Sequence, residues 1–398
     1  MKKSLLIVTF SLYSGGAERA LVNFLNQLSP EQYDVDLLLF RREGMYIDQI
    51  PAWVKLVKPC SVLAGLYWNK HSRDVLRGPV QLFSHYVVFP LSTIICRKLS
   101  KDTGNKARQL RWKYVYSRYV PKLRKHYDVA MSYANGEILC YLTDKVDADR
   151  KLTWVHNFYP ESSMCADIER EYFAKVDGIA TISDKCAEAL RMLFPESREK
   201  VAVIPNIVSG REIRRMAETA EPEDIDTSEP VILSVGRLSR VKRPDIAVEA
   251  ARILRERGVC FHWYWIGGEG GESAFVNELI HKYGLEDRFI FLGTRINPYI
   301  YMKRCTAFVQ SSESEGKSLV IDEAKILGRP IVSTDYPTIH DQLKADEGVI
   351  VPISPEGLAD GLEKLLKNPE QLSRISETLS ARKYGNEAVI SEYIKWIG

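Results

Sequence analysis

Short apolar, β-branched runs alternate along the chain with longer segments of helical period, the pattern of βα units around parallel sheets buried on both faces. In the first half the strand-like runs are 5–10, 35–40, 128–133, 152–156, 178–183 and 201–206. A second series follows at 231–235, 263–266, 289–292, 307–310, 330–333 and 348–351. Between the two series, 221–230 is acidic, polar and bounded by Pro222 and Pro230, the composition of an exposed linker. Helices are predicted over 245–257, with Pro244 at the favourable first position and Gly258 as the stop, and over 318–327, stopped by Gly328. In 386–397, Val389, Ile390, Tyr393, Ile394 and Ile397 share one stripe, so this last helix is expected to pack against the rest of the chain. The pattern thus predicts an α/β protein with an N-terminal domain over 1–206, a linker over 207–230, a C-terminal domain over 231–380 and a final helical segment over 381–398.

Composition narrows the class. The 398 residues are 45% hydrophobic and 27% charged, which excludes a disordered chain, and 24 Gly with 18 Pro exclude collagen-like sequence. Seven scattered cysteines without CxxC or Cys/His spacing support neither a disulfide framework nor a zinc site, so a reducing cytoplasm is expected. The apolar run after Lys2-Lys3 is short and leads into Ser14-Gly15-Gly16 without a cleavage site, so it reads as a buried first strand rather than a signal peptide. The longest apolar stretch, 86–96, is interrupted by Pro90 and falls short of the roughly 20 residues that cross a bilayer, so no spanning segment is expected.

Net charge is only +3, but it is unevenly spread. Between Lys70 and Lys125 fourteen Lys and Arg face two Asp, a local charge of +12 that leaves −9 for the remainder. Interleaved aromatics (Tyr86, Phe89, Trp112, Tyr114, Tyr116, Tyr119) make the stretch a candidate for an anionic membrane surface, the other reading being a solvated helix face. No motif of a nucleic-acid-binding module accompanies it.

Three segments carry candidate chemistry. The run 307–310 ends in Ser311-Ser312-Glu313-Ser314-Glu315-Gly316-Lys317-Ser318-Leu319 and opens a helix containing Glu323, which puts backbone N–H groups and two carboxylates at the carboxyl edge of a parallel sheet. Carboxylates accept from vicinal hydroxyls, as a sugar or ribose offers. The end of this run is not a P-loop, because the position of the first P-loop glycine holds Ser311. After 231–235, Gly236-Arg237-Leu238-Ser239-Arg240-Val241-Lys242-Arg243 sets four cations between a strand end and a helix N-terminus, a place suited to a pyrophosphate. Gly15-Gly16-Ala17-Glu18, after the first strand, allows close backbone approach, but it lacks the dinucleotide glycine spacing, and Arg41 and Arg42 stand where an acidic ribose ligand would end the second strand, which disfavours an NAD enzyme. Trp154-Val155-His156-Asn157 and Ile266-Gly267-Gly268-Glu269-Gly270 likewise sit at strand ends.

Together these segments, with Pro205-Asn206-Ile207-Val208 and the Glu315/Glu323 spacing, resemble the family 4 glycosyltransferases over nearly the whole chain. The resemblance implies the retaining GT-B fold, two Rossmann-like domains with parallel sheets facing across a cleft, and a hexosyltransferase that needs no metal and no cofactor beyond its nucleotide-diphosphate sugar. It implies catalytic roles for Arg237, Lys242, Glu315 and His156. Arg237 and Lys242 match residues that hold the diphosphate, Glu323 the one that binds ribose, and Glu315 and His156 those that contact the donor sugar. Gly15, Gly16, Asn157, Gly236, Gly268, Thr294, Arg295, Gly316, Lys317, Ser318 and Leu319 complete the expected substrate-binding set, with the base met by backbone near 293–296. Lys317 departs from the aromatic or aliphatic residue many members carry, and could touch a donor phosphate or an acidic sugar. UDP is the expected carrier, with GDP next. The implied acceptor is a lipid-linked or growing saccharide of surface-polysaccharide synthesis at the cytoplasmic face of the inner membrane, reached by peripheral attachment. The alternatives are a nucleotide-sugar epimerase of similar fold and a non-catalytic saccharide- or membrane-binding scaffold; a phosphorylase would need a lysine-bound pyridoxal phosphate and a longer chain.

Overall fold

The computed structural model describes residues 2–13, 15–73, 76–100 and 104–398. Ser14 of the glycine turn, and Asp74, Lys101 and Asp102 of the basic stretch, lie outside the described residues. The chain forms two compact units, one of residues 2–13, 17–206 and 389–398, the other of residues 15–16 and 207–388.

The first unit is built on seven parallel strands: β1 (Lys3–Thr9), β2 (Tyr33–Leu39), β3 (Lys55–Val57), β4 (His126–Ser132), β5 (Asp147–Val155), β6 (Gly178–Thr181) and β7 (Val201–Val203), in the order β3-β2-β1-β4-β5-β6-β7. The second has six: β8 (Val231–Val235), β9 (His262–Ile266), β10 (Phe289–Gly293), β11 (Ala307–Gln310), β12 (Ile331–Thr334) and β13 (Gly348–Val351), in the order β10-β9-β8-β11-β12-β13. All twelve strand-like runs of the sequence are strands. The one not anticipated, β3, is three residues long and sits at a sheet edge, too short to show a period.

The buried stretches of the strands are nearly continuous apolar runs because both sheet faces are covered, while β1, β4 and β5 begin with polar, less buried residues. In β8, Val231 and Leu233 pack into one core with Tyr264, Phe308 and Ile331, while Ile232 between them packs into another with Trp263 and Val332. Buried polar residues within strands find partners on neighbouring strands, as when Ser234 Oγ donates to Val309 O at 3.0 Å and Ser132 Oγ to Thr153 Oγ1 at 2.7 Å. In each sheet the strand order reverses once, between β1 and β4 and between β8 and β11, and such switch points open a crevice at the carboxyl ends of the strands.

The structure corrects the linker. Residues 207–230 are not a free tether: Gly210–Ala217 is a helix capped by Ser209, and Arg214 donates to Ile326 O at 3.1 Å. Residues 221–230 are largely exposed, as their composition predicts, yet acids of the region pair at the surface with distant cations, Glu218 with Lys303, Glu221 with Arg304, and Asp224 with Arg295 at 2.7 Å. The final segment also divides later than expected. Asn386 exchanges hydrogen bonds with Val208 (2.7 and 3.0 Å) inside the second unit, and only 389–398, with helix Ile390–Ile397, joins the first. There Tyr393 and Trp396 close on Trp154 (ring centroids 4.7 and 5.3 Å) and Tyr393 on Phe24 (4.7 Å).

A second correction concerns the apolar stretch around Pro90. Helical structure is continuous from Pro79 to Ser100, long and apolar enough by length and composition to cross a membrane. A π-turn over Ser84–Val88 precedes Pro90, and the wider turn accommodates the missing N–H and the ring that would break an α-turn.

Candidate active site

The second switch point brings together part of the expected set, Gly236, Lys242 and Glu315. β8 ends at Val235, and its loop is stitched to the loop after β9: Gly236 N donates to Ile266 O (2.8 Å), Leu238 N to Gly268 O (2.9 Å) and Trp265 Nε1 to Gly236 O (2.7 Å). This explains the glycines. A Cβ on Gly267 would stand 1.8 Å from Gly236 O, and one on Gly270 2.6 Å from Leu238 O, so the two loops meet only without side chains. A Cβ on Gly236 would touch the Lys242 side chain at 3.3 Å, so the lysine stem runs directly over this glycine.

Lys242 crosses from the β8 loop to the β11 loop and donates to Glu315 Oε1 at 2.5 Å, while its own carbonyl accepts from Ser311 Oγ at 2.8 Å. The same Glu315 oxygen accepts from Ser312 Oγ (2.7 Å) and Gln310 Nε2 (2.8 Å), and Thr338 Oγ1 donates to the Glu315 carbonyl (2.8 Å). The carboxylate is therefore held by three donors on a single oxygen. Of the other cations, Arg243 is bound to Asp245 (2.7 Å) and Glu313 (3.5 Å) and takes a left-handed backbone (φ 48°), so it shapes the turn into helix Pro244–Glu256. Arg237 and Arg240 are exposed. Arg237 has no side-chain partner among the described residues, which leaves it available to an anion.

Glu323 lies on helix Leu319–Ile326, is 6% exposed, and accepts from Tyr299 OH at 2.8 Å. At the head of that helix Ser318 and Leu319 are buried, and Gln342 grips Ser318 on both sides: its Oε1 accepts from Ser318 N (3.1 Å) and its Nε2 donates to Ser318 O (2.6 Å). Lys317 Nζ stands 3.9 Å from Asp322, and Gly316 is buried. Thr294 is exposed after β10, whereas Arg295 is committed to Asp224 and to Tyr301 OH (3.0 Å). Sequence reading missed Gln310, Ser312, Tyr299, Thr338 and Gln342, which position the expected residues from other elements. Only Gln310 and Ser312 were adjacent enough in sequence to be suspected.

In the first unit His156 and Asn157 follow β5. The His156 ring lies against Tyr133 (4.6 Å) and parallel to Trp154 (5.8 Å), with its nitrogens closed off from solvent although one edge of the residue remains exposed. Burial pushes its pKa down to about 3, partly offset by the Tyr133 backbone and Asn206, so the imidazole is neutral at physiological pH. Asn157 Oδ1 is buried without a hydrogen-bond partner among the described residues. Gly15 and Gly16 lead into helix Gly16–Gln27.

The first unit also holds a cavity of about 250 Å³ at the end of β4, lined by Phe10, Arg108, Asn135, Glu137 and Met164 among others. Arg108 Nε donates to Glu137 Oε2 (2.9 Å), Tyr67 OH donates to Glu137 Oε1 (3.1 Å), and Arg41 and Arg108 both lie over the Phe10 ring, at 4.8 and 4.9 Å. Behind it Glu169 Oε1 accepts from Gln109 (2.5 Å) and Gly136 N (2.9 Å), and burial raises its carboxyl to about 7. The basic stretch is thus divided: Arg108, Arg111 and Lys113 pair with Glu137 or Glu171, while Arg77, Arg97, Lys98, Lys106 and Arg118 face outward.

Two parallel Rossmann-like units, the second with a cation–carboxylate cluster at its switch point, are the architecture of the GT-B fold. Residues 216–382 match the family model of glycosyl transferases group 1. The chain is 25% identical over 366 residues (91% of it, 90% of the relative) to N-acetylgalactosamine-N,N'-diacetylbacillosaminyl-diphospho-undecaprenol 4-alpha-N-acetylgalactosaminyltransferase of Campylobacter jejuni. It is 27% identical over 234 residues (56% of it, 64% of the relative) to a lipopolysaccharide core biosynthesis glycosyltransferase of Rhizobium meliloti. Among solved structures, Anabaena HepE in complex with UDP and glucose superposes with a TM-score of 0.68 at 17% identity, over 99% of this chain and 98% of that one. The chain is therefore a glycosyltransferase with a group 1 domain in its second unit, and the two relatives named here act in lipid-linked saccharide and lipopolysaccharide synthesis.

Proposed function

We propose that the enzyme transfers a hexose or N-acetylhexosamine, with retention, from a UDP-linked donor to a lipid-linked or growing saccharide acceptor in cell-surface polysaccharide synthesis. The observation that carries the reading is the bridge of Lys242 to Glu315 in the loops after β8 and β11, together with Arg237, which has no side-chain partner among the described residues. In this reading Arg237 and Lys242 hold the diphosphate, Glu323 the ribose and Glu315 the donor sugar. The acceptor hydroxyl oxygen bonds to the anomeric carbon on the face from which the diphosphate leaves, the carbon–phosphate-oxygen bond breaks, and the acceptor proton passes to that leaving oxygen. No protein nucleophile takes part, and the two cations meet the developing charge in place of a metal. UDP is supported by the HepE complex, and a lipid-diphosphate acceptor by the named activity of the Campylobacter relative. The acceptor's polar end is assigned to the cavity at Arg108 and Asn135 in the first unit. Such an acceptor resides in a bilayer, so the enzyme is assigned to the cytoplasmic face of the membrane, with the basic stretch toward anionic lipid.

The test is thermal shift of the full chain with UDP, GDP, ADP and their sugars, without metal. A ligand at 100 times its dissociation constant adds about 2.7 kcal/mol. A shift with a uridine nucleotide that disappears in Glu323→Ala, while that variant alone melts as a single transition, supports the donor site. No shift with any nucleotide refutes it, and conversion of the donor sugar without acceptor makes the protein an epimerase.

A further inference from the structure

The helix Pro79–Ser100 is built inside out for a soluble protein. Its packed stripe is small or polar: Ser84 and Ser92 are buried, Cys96 is 1% exposed, and Ser92 Oγ donates to Tyr116 OH at 3.3 Å while Arg111 donates to Thr93 Oγ1 at 2.7 Å. Its outward faces are the greasy ones. Nine large hydrophobic residues of this helix are exposed, among them Phe83 (51%), Tyr86 (66%), Leu91 (56%), Ile94, Ile95 and Leu99 (67%). That is far more contiguous apolar surface than a water-facing helix carries, and the helix has no acidic residue at all.

Two features say what covers it. The packed stripe recurs every four residues at Ser84, Val88, Ser92 and Cys96, so the helix is fastened along its length to the first unit and lies on its surface. A helix held in this way cannot cross a bilayer alone; it can lie in the plane of one. Among the described residues, the exposed charges within the helix or next to it in sequence are Arg77, Arg97, Lys98 and Lys106, without an acid between Arg77 and Ser100. A second copy of the chain would bring a like-charged rim against this one, whereas an anionic leaflet complements it.

We infer that Pro79–Ser100 is an in-plane membrane helix, whose apolar faces sink into the acyl boundary of an anionic leaflet while its cations ring the headgroups. This deepens the membrane assignment above and rests on it, but changes the mode of attachment from charge to immersion. Arg108 and Asn105 of the next helix, Asn105–Arg111, line the cavity assigned to the acceptor, so the anchor and that cavity are walls of one insertion.

The experiment is flotation of the full chain with vesicles of phosphatidylcholine and phosphatidylglycerol (3:1) in low salt and in 0.5 M NaCl, the salt chosen to shrink the screening length to roughly 4 Å. Immersion predicts that the protein floats in both, with less than a threefold loss of partitioning at high salt, and that Leu91→Ser/Ile94→Ser lowers high-salt partitioning more than tenfold. Both positions are exposed, so the variant should melt as the wild type does and keep its nucleotide-induced thermal shift. Binding that vanishes at 0.5 M NaCl in the wild type overturns the inference in favour of the cations. A wild type that ignores vesicles but runs as a dimer split by the same variant overturns it in favour of a second copy. Nucleotide shifts measured on the same samples report the enzyme reading separately, since loss of flotation with an intact shift sinks only the anchor.

Discussion

Lys242 Nζ and Glu315 Oε1 form an ion pair of 2.5 Å that ties the loop after β8 to the loop after β11 across the point where the strand order reverses. Two segments more than 70 residues apart in sequence thereby present one cation and one carboxylate to the same crevice. Because the pair is partly exposed (24% and 15%), its worth to stability is modest, and its value lies in pre-positioning the lysine. Lys242→Ala should therefore lower kcat by a factor of about 10²–10³, roughly 3–4 kcal/mol of barrier, with a small change in melting temperature. Steady-state rates at saturating donor decide it; an unchanged kcat removes Lys242 from the charge-stabilising role.

Gly267 and Gly236 make the sharpest steric prediction. With Gly236 O 1.8 Å from where a Cβ would be, Gly267→Ala must push the β8 and β9 loops apart. Overpacking of this kind costs about 1–3 kcal/mol, and here it also displaces the lysine that runs over Gly236. Denaturant unfolding together with the nucleotide-induced thermal shift should show both a loss of stability and a weakened donor site. Gly258→Ala, where nothing stands within 4 Å of the Cβ position but φ is +69°, should cost stability alone.

His156 is neutral through the working pH range. With a native pKa near 3 against about 6.5 unfolded, the unfolded chain binds the extra proton between those values, so this residue's contribution to stability falls as pH drops from 6.5 toward 3. The kcat–pH profile should accordingly carry no inflection near 6.5 that His156→Gln abolishes. An inflection lost in that variant would mean the imidazole titrates during turnover.

Glu169 has the opposite sign. Its carboxyl is raised to about 7 by burial, against about 4.3 unfolded, so the native state holds the proton more tightly and stability is lost as pH rises through 7. Glu169→Gln keeps an acceptor for Gln109 and Gly136 N. It should be more stable than the wild type by of order 3 kcal/mol at pH 8, with the gap closing toward pH 4. Urea unfolding at both pH values tests this, and a gap independent of pH contradicts it.

What could be read from sequence alone follows from how local each signal is. Strands such as β8 and β11 announce themselves because burial on both faces forces a short apolar run, and a strand end is the natural place to look for Arg237, Lys242 and Glu315. Glu323 was legible through its spacing to Glu315. Its supporting phenol on Tyr299 and the double grip of Gln342 on Ser318 were not, since each comes from another element and leaves no local trace. The acidic run around Glu221 and Asp224 is as exposed as its composition suggests, but its pairing with Arg304 and Arg295, 83 and 71 residues on, leaves no local trace. Pro90 was read as a break, and only the π-turn over Ser84–Val88 shows how a helix continues through it.

The return of residues 389–398 to the first unit sets an order of events during synthesis. Trp154 and Phe24 leave the ribosome early, yet Tyr393 and Trp396, which cover them, are made only after the intervening chain of the second unit. At about 5–20 residues per second that interval is roughly 10–40 s, during which the first sheet has an uncovered aromatic face. A chain cut before residue 389 would therefore retain the second unit's sheet and still leave Trp154 and Phe24 without these aromatic neighbours, an unfinished face on the first unit.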